Sequence, residues 1–195
     1  MTGIILAGGK GRRIGGNKAF LKIGNKPLIE LVIERLKTIF DNNIIIVTNN
    51  PYKFSSLGIK IIKDVVHNKG PLGGIYTGLL FSKSKYNFIC ACDMPFLNLS
   101  LLRFIISQIE DNDVIVPLVG NFAQPLHSIY SKKCLGAIRR KIENRELKIT
   151  RFFSEVKYRY LPESLIRKYD PHLSSFLNLN TLEKLKLARE NFISW

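Results

Sequence analysis

The sequence predicts an α/β fold in which a mostly parallel sheet lies between two layers of helices. Three observations favour this class. Short apolar runs alternate along the chain with segments of helical periodicity. The contents of hydrophobic residues, 46%, and of charged residues, 23%, are typical of globular proteins. We find no linker, low-complexity tract or internal repeat, so we expect one three-layer, Rossmann-like domain over residues 1–195.

The first half of the chain contains four strand candidates with helix candidates between them. The strands are apolar runs typical of buried strands: TGIILA from Thr2, NIIIVTNN from Asn43, IKIIKD from Ile59 and NFICAC from Asn87. From Pro27, apolar residues recur at 28, 32, 36 and 39, which is the spacing of a helix with one buried face, and proline suits a first helical turn. Further helices are expected near 52–57 and after Gly70-Pro71.

The second half continues the alternation. It contains helix candidates at 100–110, 131–143 and 181–193, and strand candidates at 113–119, 125–130 and 158–161. A turn at Gly120-Asn121 separates the first two of these strands. Because Pro125 cannot donate a hydrogen bond to a central ladder, we expect its strand to lie at a sheet edge or a bulge.

The formal net charge of +15 narrows the range of partners. A solvated, lysine-rich surface accounts for many of the basic residues, and a nucleic-acid binder is the alternative. Nucleic acid is the less favoured partner, because the aromatic residues are not interleaved with the charges as in a recognisable binding module. Six basic residues precede the first acidic one, Glu30: Lys10, Arg12, Arg13, Lys18, Lys22 and Lys26. A positive field beside glycines suits a polyanionic small molecule.

Composition disfavours several other classes. The longest apolar runs are broken by charge well short of the roughly 20 residues that span a membrane, so no membrane partner is expected. The first strand begins at once, without a basic and apolar leader. The three cysteines lack CxxC spacing and the three histidines are scattered, which argues against a disulfide framework and a histidine metal cluster. We therefore expect a reducing, cytoplasmic location.

The stretch LAGGKGRRIGGNK, from Leu6 to Lys18, follows the first strand and matches neither common phosphate-binding motif. A dinucleotide fingerprint needs glycine where Ile14 stands, and a Walker loop needs its lysine one residue before Lys18. Arg12, Arg13 and Lys18 can nevertheless offset the charge of a polyphosphate. Backbone amides can approach it at the glycines, which include Gly8, Gly9, Gly11 and Gly15. The alternative is a glycine-rich turn with incidental surface arginines.

Polar residues end the other predicted strands, and in such sheets ligands bind at the carboxyl ends. Asp93 follows the apolar FICAC, and it is either a ligand for Mg²⁺ or a turn-forming residue before Pro95. Asp64 ends another strand, and it either accepts hydrogen bonds from a base or ribose or caps a turn or helix. Asn49 and Asn50 end a third. Together these residues suit a nucleotide and a divalent metal.

The sequence offers no credible covalent nucleophile. Of the cysteines, only Cys92 is expected near the crevice, and no elbow motif supports a Ser-His-Asp arrangement. The remaining mechanism is in-line attack by a substrate oxyanion on a metal-clamped nucleotide phosphate, catalysed by positioning and charge.

These residues also resemble a known family. The loop residues Leu6 to Gly9, Arg13, Gly15 and Lys18-Ala19 look like the signature loop of sugar-nucleotide-type nucleotidyltransferases. Within that superfamily, the sequence is most similar to the molybdenum cofactor guanylyltransferase (MobA) family. Four further stretches agree with that family in order: GPLGGIYTGL from Gly70, CDMPF from Cys92, QPLHSIY from Gln124 and FLNLNTLE from Phe176. The resemblance covers nearly the whole chain and implies a fold of the nucleotide-diphospho-sugar transferase type.

The resemblance implies transfer of GMP from GTP to the terminal phosphate of molybdenum-bound molybdopterin, with Mg²⁺ as cofactor and pyrophosphate as product. It implies that Lys18 and Asp93 are catalytic and that Asp93 is the metal ligand. Gly9 and Arg13 belong to the phosphate loop. Nucleotide contacts are implied for Leu6, Ala7, Gly8, Lys18, Asn50, Asp64 and Asp93. Candidate protein partners are those that deliver or accept the molybdenum cofactor.

The acceptor side of the site is expected at QPLHSIY, opposite the phosphate loop. Gln124 and His127 would there face a pterin, whose ring presents donors and acceptors, and the alternative is that His127 only caps local backbone. Two other functions stay open. One is a cytidylyltransferase or another nucleotidyltransferase of the same fold, and the other is a basic nucleotide- or nucleic-acid-binding protein without catalysis.

Overall fold

A sheet of parallel and antiparallel strands runs through the centre of the computed structural model, which describes residues 1–8 and 18–191. The strands are β1 (Thr2–Leu6), β2 (Lys22–Ile23), β3 (Lys26–Pro27), β4 (Ile44–Thr48), β5 (Lys60–Lys63), β6 (Tyr86–Ala91), β7 (Val114–Val119), β8 (Phe122–Ala123), β9 (His127–Ser131) and β10 (Tyr158–Leu161). The α-helices are α1 (Leu28–Phe40), α2 (Gly70–Phe81), α3 (Leu99–Ser107), α4 (Leu135–Glu143), α5 (Glu163–Ile166) and α6 (Leu182–Asn191). Short 3₁₀ helices lie at Lys18–Phe20, Pro51–Leu57, Lys132–Cys134, Ile149–Glu155 and Ser174–Phe176.

The strand order of the main sheet is β10-β7-β9-β6-β1-β4-β5, and β8 pairs with β7. β1 is parallel to β4 and β6, β4 is parallel to β5, and β7 is parallel to β10. β9 is antiparallel to both of its neighbours, β6 and β7. The prediction of a mostly parallel sheet is therefore confirmed. β2 and β3 form a separate two-stranded hairpin.

Side chains alternate between the two faces of the sheet and pack against helices on both. On β1, Ile5 belongs to the cluster under α1 and α3, whereas Ile4 belongs to the cluster under α2 and α4. Both side chains are fully buried, and burial of an isoleucine stabilises the fold by about 1.5–3 kcal/mol. This confirms the predicted three layers: helices, sheet, helices.

The glycines of the GPLGGIYTGL stretch let α2 lie directly against β1. A Cβ atom on Gly78 would stand 2.7 Å from Cγ2 of Ile4, and one on Gly74 would stand 3.3 Å from Cδ2 of Leu6. The side chain of any larger residue would push α2 away from the sheet. The close contact places the first turn of α2 at the carboxyl end of β1.

The segment around Pro125 differs from the prediction. β9 begins at His127, two residues after the proline, and lies between β6 and β7 rather than at a sheet edge. Because Pro125 precedes the strand, its missing N–H interrupts no ladder, and the expectation of an edge strand is wrong. The turn at Gly120-Asn121 is confirmed, since Val119 pairs with Phe122 and Gly120 has a φ of 57°.

His127 lies in the core, away from solvent. Its ring centroid is 5.0 Å from that of Phe88 and 4.9 Å from that of Phe176. Neither ring nitrogen has a hydrogen-bond partner in the part of the chain that the structure describes. Burial lowers the pKa of His127 to about 3, so the imidazole is neutral at physiological pH. The expectation that His127 faces a ligand is therefore corrected, and backbone capping is not its role either.

The buried imidazole predicts a pH-dependent stability. The pKa of His127 is lower in the folded chain than the usual histidine value of 6.5, so the free energy of unfolding falls as pH falls below about 6.5. Between pH 7 and pH 5, wild type should lose about 2 kcal/mol more than His127→Leu, which carries no titrating group there. Urea unfolding at both pH values measures the difference.

The exposed His67 supplies the control. His67→Leu should keep the pH dependence of wild type. Equal losses of unfolding free energy in wild type and His127→Leu would show that His127 is not the neutral, buried group described above.

Candidate active site

Backbone hydrogen bonds align the carboxyl ends of β5, β4, β1 and β6 at one edge of the sheet. The three bonds run from Asp64 N to Thr48 O (2.9 Å), from Ala7 N to Val47 O (2.8 Å) and from Cys92 N to Leu6 O (3.1 Å). Each continues a strand pairing by one residue beyond the strand. The polar residues that follow the strands are thereby held side by side, as the sequence predicted for a ligand-binding edge.

The segment after β1 is tied to the segment after β4. Oγ1 of Thr48 donates to the carbonyl of Ala7 (3.1 Å) and accepts from the backbone N–H of Asn50 (3.2 Å). Leu6 is half-buried, Ala7 is buried and Gly8 is exposed, so the chain reaches solvent at Gly8. Gly9 and Arg13 of the predicted phosphate loop lie outside the described residues.

Asn49 lies beside this turn, with its Nδ2 3.4 Å from the position of a Cβ on Gly8. The side chains of Asn49 and Asn50 are both exposed, and a nucleotide contact by Asn50 stays a prediction. The sequence signal, two consecutive asparagines after an apolar strand, did not distinguish between them.

The side chains of Lys18 and Asp93, which the resemblance implies to be catalytic, lie close together. Nζ of Lys18 is 3.9 Å from Oδ2 of Asp93, and the two side chains are 26% and 15% exposed. At this distance the two side chains form an ion pair but no direct hydrogen bond, so each can still bind a third group. Lys18 begins the 3₁₀ turn that follows the glycine-rich loop, and Asp93 is the second residue after the end of β6.

The carboxyl of Asp93 is held in a partly dry environment. Burial raises its pKa above the usual value, and the positive charges of Lys18 and Lys184 act in the opposite direction. Lys184 belongs to α6 and was not predicted as a site residue. A cation at this carboxylate would be favoured, since it compensates the charge that burial disfavours.

Asp64 has a clear structural task. Its Oδ1 accepts hydrogen bonds from Oγ1 of Thr77 (2.6 Å) and from the backbone N–H of Val66 (3.0 Å). The side chain thus joins the end of β5 to α2, as a turn cap does. A Cβ on Gly73 would lie 3.0 Å from the carbonyl of Val66, which is why glycine suits this crossing. A nucleotide contact by Asp64 stays a prediction.

The cysteine near the site is not an activated nucleophile. Burial raises the pKa of Cys92 to about 12, so its thiol stays protonated at physiological pH. This agrees with the absence of a nucleophile motif in the sequence. Cys90 and Cys134 are free thiols as well, and both are buried.

Beyond β6, the same edge of the sheet carries a cavity of about 710 Å³ beside the β7–β8 hairpin. Its wall includes Pro71 at the start of α2, the aromatic rings of Phe122 and Tyr160, and the cation of Lys148. No sequence motif joins these four residues as a site, because they come from four separate segments. Gln124 lies in the same hairpin, where its Nε2 donates to the carbonyl of Phe122 (3.2 Å).

Residues 1–8 and 18–191 contain no group of three or more His, Cys, Asp and Glu side chains that could enclose a metal ion. Nor does any of their helices have the length and apolar character needed to cross a membrane.

Comparison with known proteins assigns the chain to a class. The model of the MobA-like NTP transferase domain matches residues 3–158. The crystal structure of molybdopterin-guanine dinucleotide biosynthesis protein A from Archaeoglobus fulgidus has a TM-score of 0.87 and 27% identity, with 100% of both chains covered. The fold and the site thus define a nucleotidyltransferase. Nucleotidyltransferases of this family typically use a divalent metal.

Curated relatives narrow the class to a family. A probable molybdenum cofactor guanylyltransferase from Peptoclostridium acidaminophilum is 37% identical over 192 residues, which is 95% of this chain and 86% of the relative. A molybdenum cofactor guanylyltransferase from Desulfosudis oleivorans is 38% identical over 190 residues, 96% of this chain and 94% of the relative. The chain belongs to the MobA-like NTP transferase family.

The ion pair at this edge predicts a selective loss on substitution of Lys18. Lys18→Ala should lower nucleotidyl transfer by about 10²–10³-fold, because the lysine places a positive charge where phosphate charge develops. The melting temperature should change by only a few degrees, since the side chain is partly exposed. Turnover and thermal unfolding of the same preparations measure the two effects.

Lys37→Ala, an exposed lysine on α1, is the matched control and should turn over like wild type. A folded Lys18→Ala protein with near-normal turnover would contradict the role given to Lys18.

Proposed function

We propose that the protein transfers GMP from GTP to the terminal phosphate of molybdenum-bound molybdopterin and releases pyrophosphate. The observation that carries this proposal is the Lys18–Asp93 pair at the aligned strand ends. It stands in a chain whose relatives are named for this transfer to the molybdenum cofactor. The three-layer fold supplies the edge, and the pair supplies opposite charges for a phosphate and a cation.

The reaction follows from the charges at the edge. A terminal phosphate oxygen of the acceptor attacks the α-phosphorus of GTP; a new P–O bond forms as the bond between the α-phosphorus and its bridging oxygen breaks. Pyrophosphate leaves with that electron pair. Lys18 stabilises the negative charge that develops on the phosphates, and no covalent enzyme intermediate is needed. The protonated thiol of Cys92 agrees with this direct route.

The donor set at Asp93 fits Mg²⁺. This ion binds proteins through one or two carboxylates and keeps several waters and substrate phosphates as its other ligands. A single half-buried carboxylate therefore suffices, and a cluster of protein ligands is not required. Bound there, Mg²⁺ would neutralise phosphate charge and orient the phosphates for attack. Because burial raises the pKa of Asp93, protons compete with the ion as pH falls.

The nucleotide contacts form one arc along the edge. Gly8 is exposed after the end of β1 and is preceded by Leu6 and Ala7, and Asn50 and Asp64 lie farther along the sheet. Gly9 and Arg13 are proposed to belong to the phosphate loop. Guanine needs acceptors for its N1–H and N2–H₂, and backbone carbonyls at this edge are the proposed source.

The cavity beside the hairpin is the proposed place for the ring system of the acceptor. Phe122 and Tyr160 offer aromatic surface to a planar heterocycle, and Lys148 offers a charge to its phosphate end. Gln124 supports the hairpin through its bond to the carbonyl of Phe122. This assignment replaces His127, which is buried, with residues that line open space.

The proposal includes three further expectations from the sequence. Residues 1–195 act as one domain, the protein is located in the cytoplasm, and its protein partners are those that deliver or accept the molybdenum cofactor. The three free thiols agree with a reducing compartment.

The choice of nucleotide and acceptor is tested by pyrophosphate release. Release should require Mg²⁺, GTP and molybdenum-bound molybdopterin together, and replacement of GTP by CTP, ATP or UTP should lower it at least about tenfold, as expected when guanine hydrogen bonds are lost. Preferential release with CTP would make the protein a cytidylyltransferase. Nucleotide binding without any release would make it a non-catalytic binder.

Asp93→Asn tests the metal ligand. The amide keeps the shape of the side chain but loses the negative charge that Mg²⁺ needs, so transfer should be nearly abolished across a Mg²⁺ titration. Binding of Mn²⁺ in the presence of GTP, followed by electron paramagnetic resonance, should weaken in parallel. Asp111→Asn, an exposed carboxylate paired with Lys157, is the control and should behave like wild type. Unchanged metal dependence in Asp93→Asn would return Asp93 to a turn-forming role.

A further inference from the structure

A C-terminal segment crosses the loop that carries Asp93. This segment, Asp170–Leu179, is called the strap here. At one end of the loop, the backbone N–H of Leu179 donates to the carbonyl of Asp93 (2.9 Å). At the other end, the backbone N–H of Asn98 donates to Oγ of Ser175 (2.8 Å). Both ends of the 93–98 loop are therefore bound to the strap.

Asp170 organises the strap from inside the protein. Its residue surface is only 2% exposed. Its Oδ1 accepts from the backbone N–H of Ser174 (3.1 Å) and from Oγ of the same residue (2.8 Å), and its Oδ2 accepts from the backbone N–H of Ser175 (2.9 Å). All three donors belong to the strap, so this buried carboxylate fixes the direction of its main chain.

The strap contains a strained residue that Asp170 helps to hold. Leu173 has a φ of 54°, in the left-handed region that disfavours a residue with a side chain. Its backbone N–H donates to the carbonyl of Asp170 (3.0 Å). Such a conformation persists only where surrounding contacts determine it, and the bonds of Asp170 lie on both sides of Leu173.

An aromatic contact packs the strap against the sheet. The ring of Phe176 packs against His127, which packs in turn against Phe88 of β6. β6 is the strand that ends just before Asp93. The strap thus packs against β9 and, through His127, against β6, so its position relative to Asp93 is fixed by packing as well as by hydrogen bonds.

We propose that Asp170 is a positioning residue: it holds the strap in the conformation that keeps the loop of Asp93 aligned for its cation. Asp170 touches neither nucleotide nor metal, and it acts through Ser175 and Leu179. The inference rests on the proposed function only in taking Asp93 as the metal ligand, and it does not depend on which nucleotide is transferred.

Asp170→Asn tests the proposal with a side chain of the same shape. The amide nitrogen of asparagine cannot accept a hydrogen bond from the strap. At least one of the three bonds to residue 170 is therefore lost, and the strap should loosen. We expect the affinity for Mn²⁺, measured by paramagnetic resonance with GTP present, to fall about 10-fold, the lower end of the range seen for residues that orient metal ligands. The Mg²⁺ concentration for half-maximal transfer should rise by a similar factor.

Amide hydrogen exchange gives a readout that does not need turnover. In Asp170→Asn, peptides covering 93–98 and 170–179 should exchange faster than in wild type, while those of α1 should not change. If wild type fails to transfer GMP at all, exchange and Mn²⁺ binding still decide whether Asp170 positions the loop. The failure of the proposed function is thereby kept apart from the failure of this inference.

Ser82→Ala is the matched control for loss of a buried hydrogen-bonded group. Oγ of Ser82 donates to Oδ1 of Asn87 and lies 3.1 Å from the hydroxyl oxygen of Thr2, and all three residues lie at the edge of the sheet opposite Asp93. This variant should lose stability but keep the metal dependence of wild type. If Asp170→Asn does the same, Asp170 is only structural and the proposal is overturned.

A second variant covers the case in which Asp170→Asn does not fold. Ser175→Ala removes only the acceptor for the backbone N–H of Asn98. It should weaken Mn²⁺ binding in the same direction, by a smaller factor, and speed exchange in 93–98. Wild-type Mn²⁺ affinity and exchange in a folded Ser175→Ala protein would contradict the proposal.

Discussion

The site depends on the hydrogen bonds that extend the parallel ladders beyond the strands. The bonds from Ala7 to Val47, from Asp64 to Thr48 and from Cys92 to Leu6 hold four chain segments at one level. Without them, each polar residue after a strand would belong to a separate surface loop. Because α2 carries glycine where it contacts Ile4 and Leu6, the helix packs closely on β1. Its first turn then lies beside the carboxyl ends of the strands and leaves them open.

Charge at this edge is balanced locally although the whole chain is strongly basic. The net charge of +15 attracts polyanions in general, but Asp93 places one half-buried carboxylate beside Lys18. Burial disfavours the carboxylate's charge, and a lysine at 3.9 Å compensates it only in part. A polyphosphate that brings its own divalent cation satisfies both groups, because its oxygens meet the lysine and its cation meets the carboxylate.

The sequence predicted the layers and most strands, since apolar runs end where polar residues begin. The resemblance implied that Lys18 and Asp93 are catalytic, but not that they form an ion pair. Prediction from the sequence failed where long-range packing decides. Pro125 was given a place at a sheet edge, but the strand starts beyond it. His127 was expected to face the acceptor because a strand at a sheet edge would leave its polar groups free, yet the ring packs between two phenyl rings. No sequence motif marks Asp170, because its spacing from Ser174 and Ser175 allows hydrogen bonds only in the folded strap.

The central claim is that the aligned strand ends hold a metal–nucleotide complex between Lys18 and Asp93. A crystal structure with GTP and Mn²⁺, with the ion located by its anomalous scattering, tests it most directly. We expect one Mn²⁺ within about 2.0–2.3 Å of a carboxylate oxygen of Asp93, with triphosphate oxygens as further ligands and Nζ of Lys18 within hydrogen-bond distance of a phosphate. Nucleotide and ion bound at another surface, with the Lys18–Asp93 pair untouched, would contradict the account.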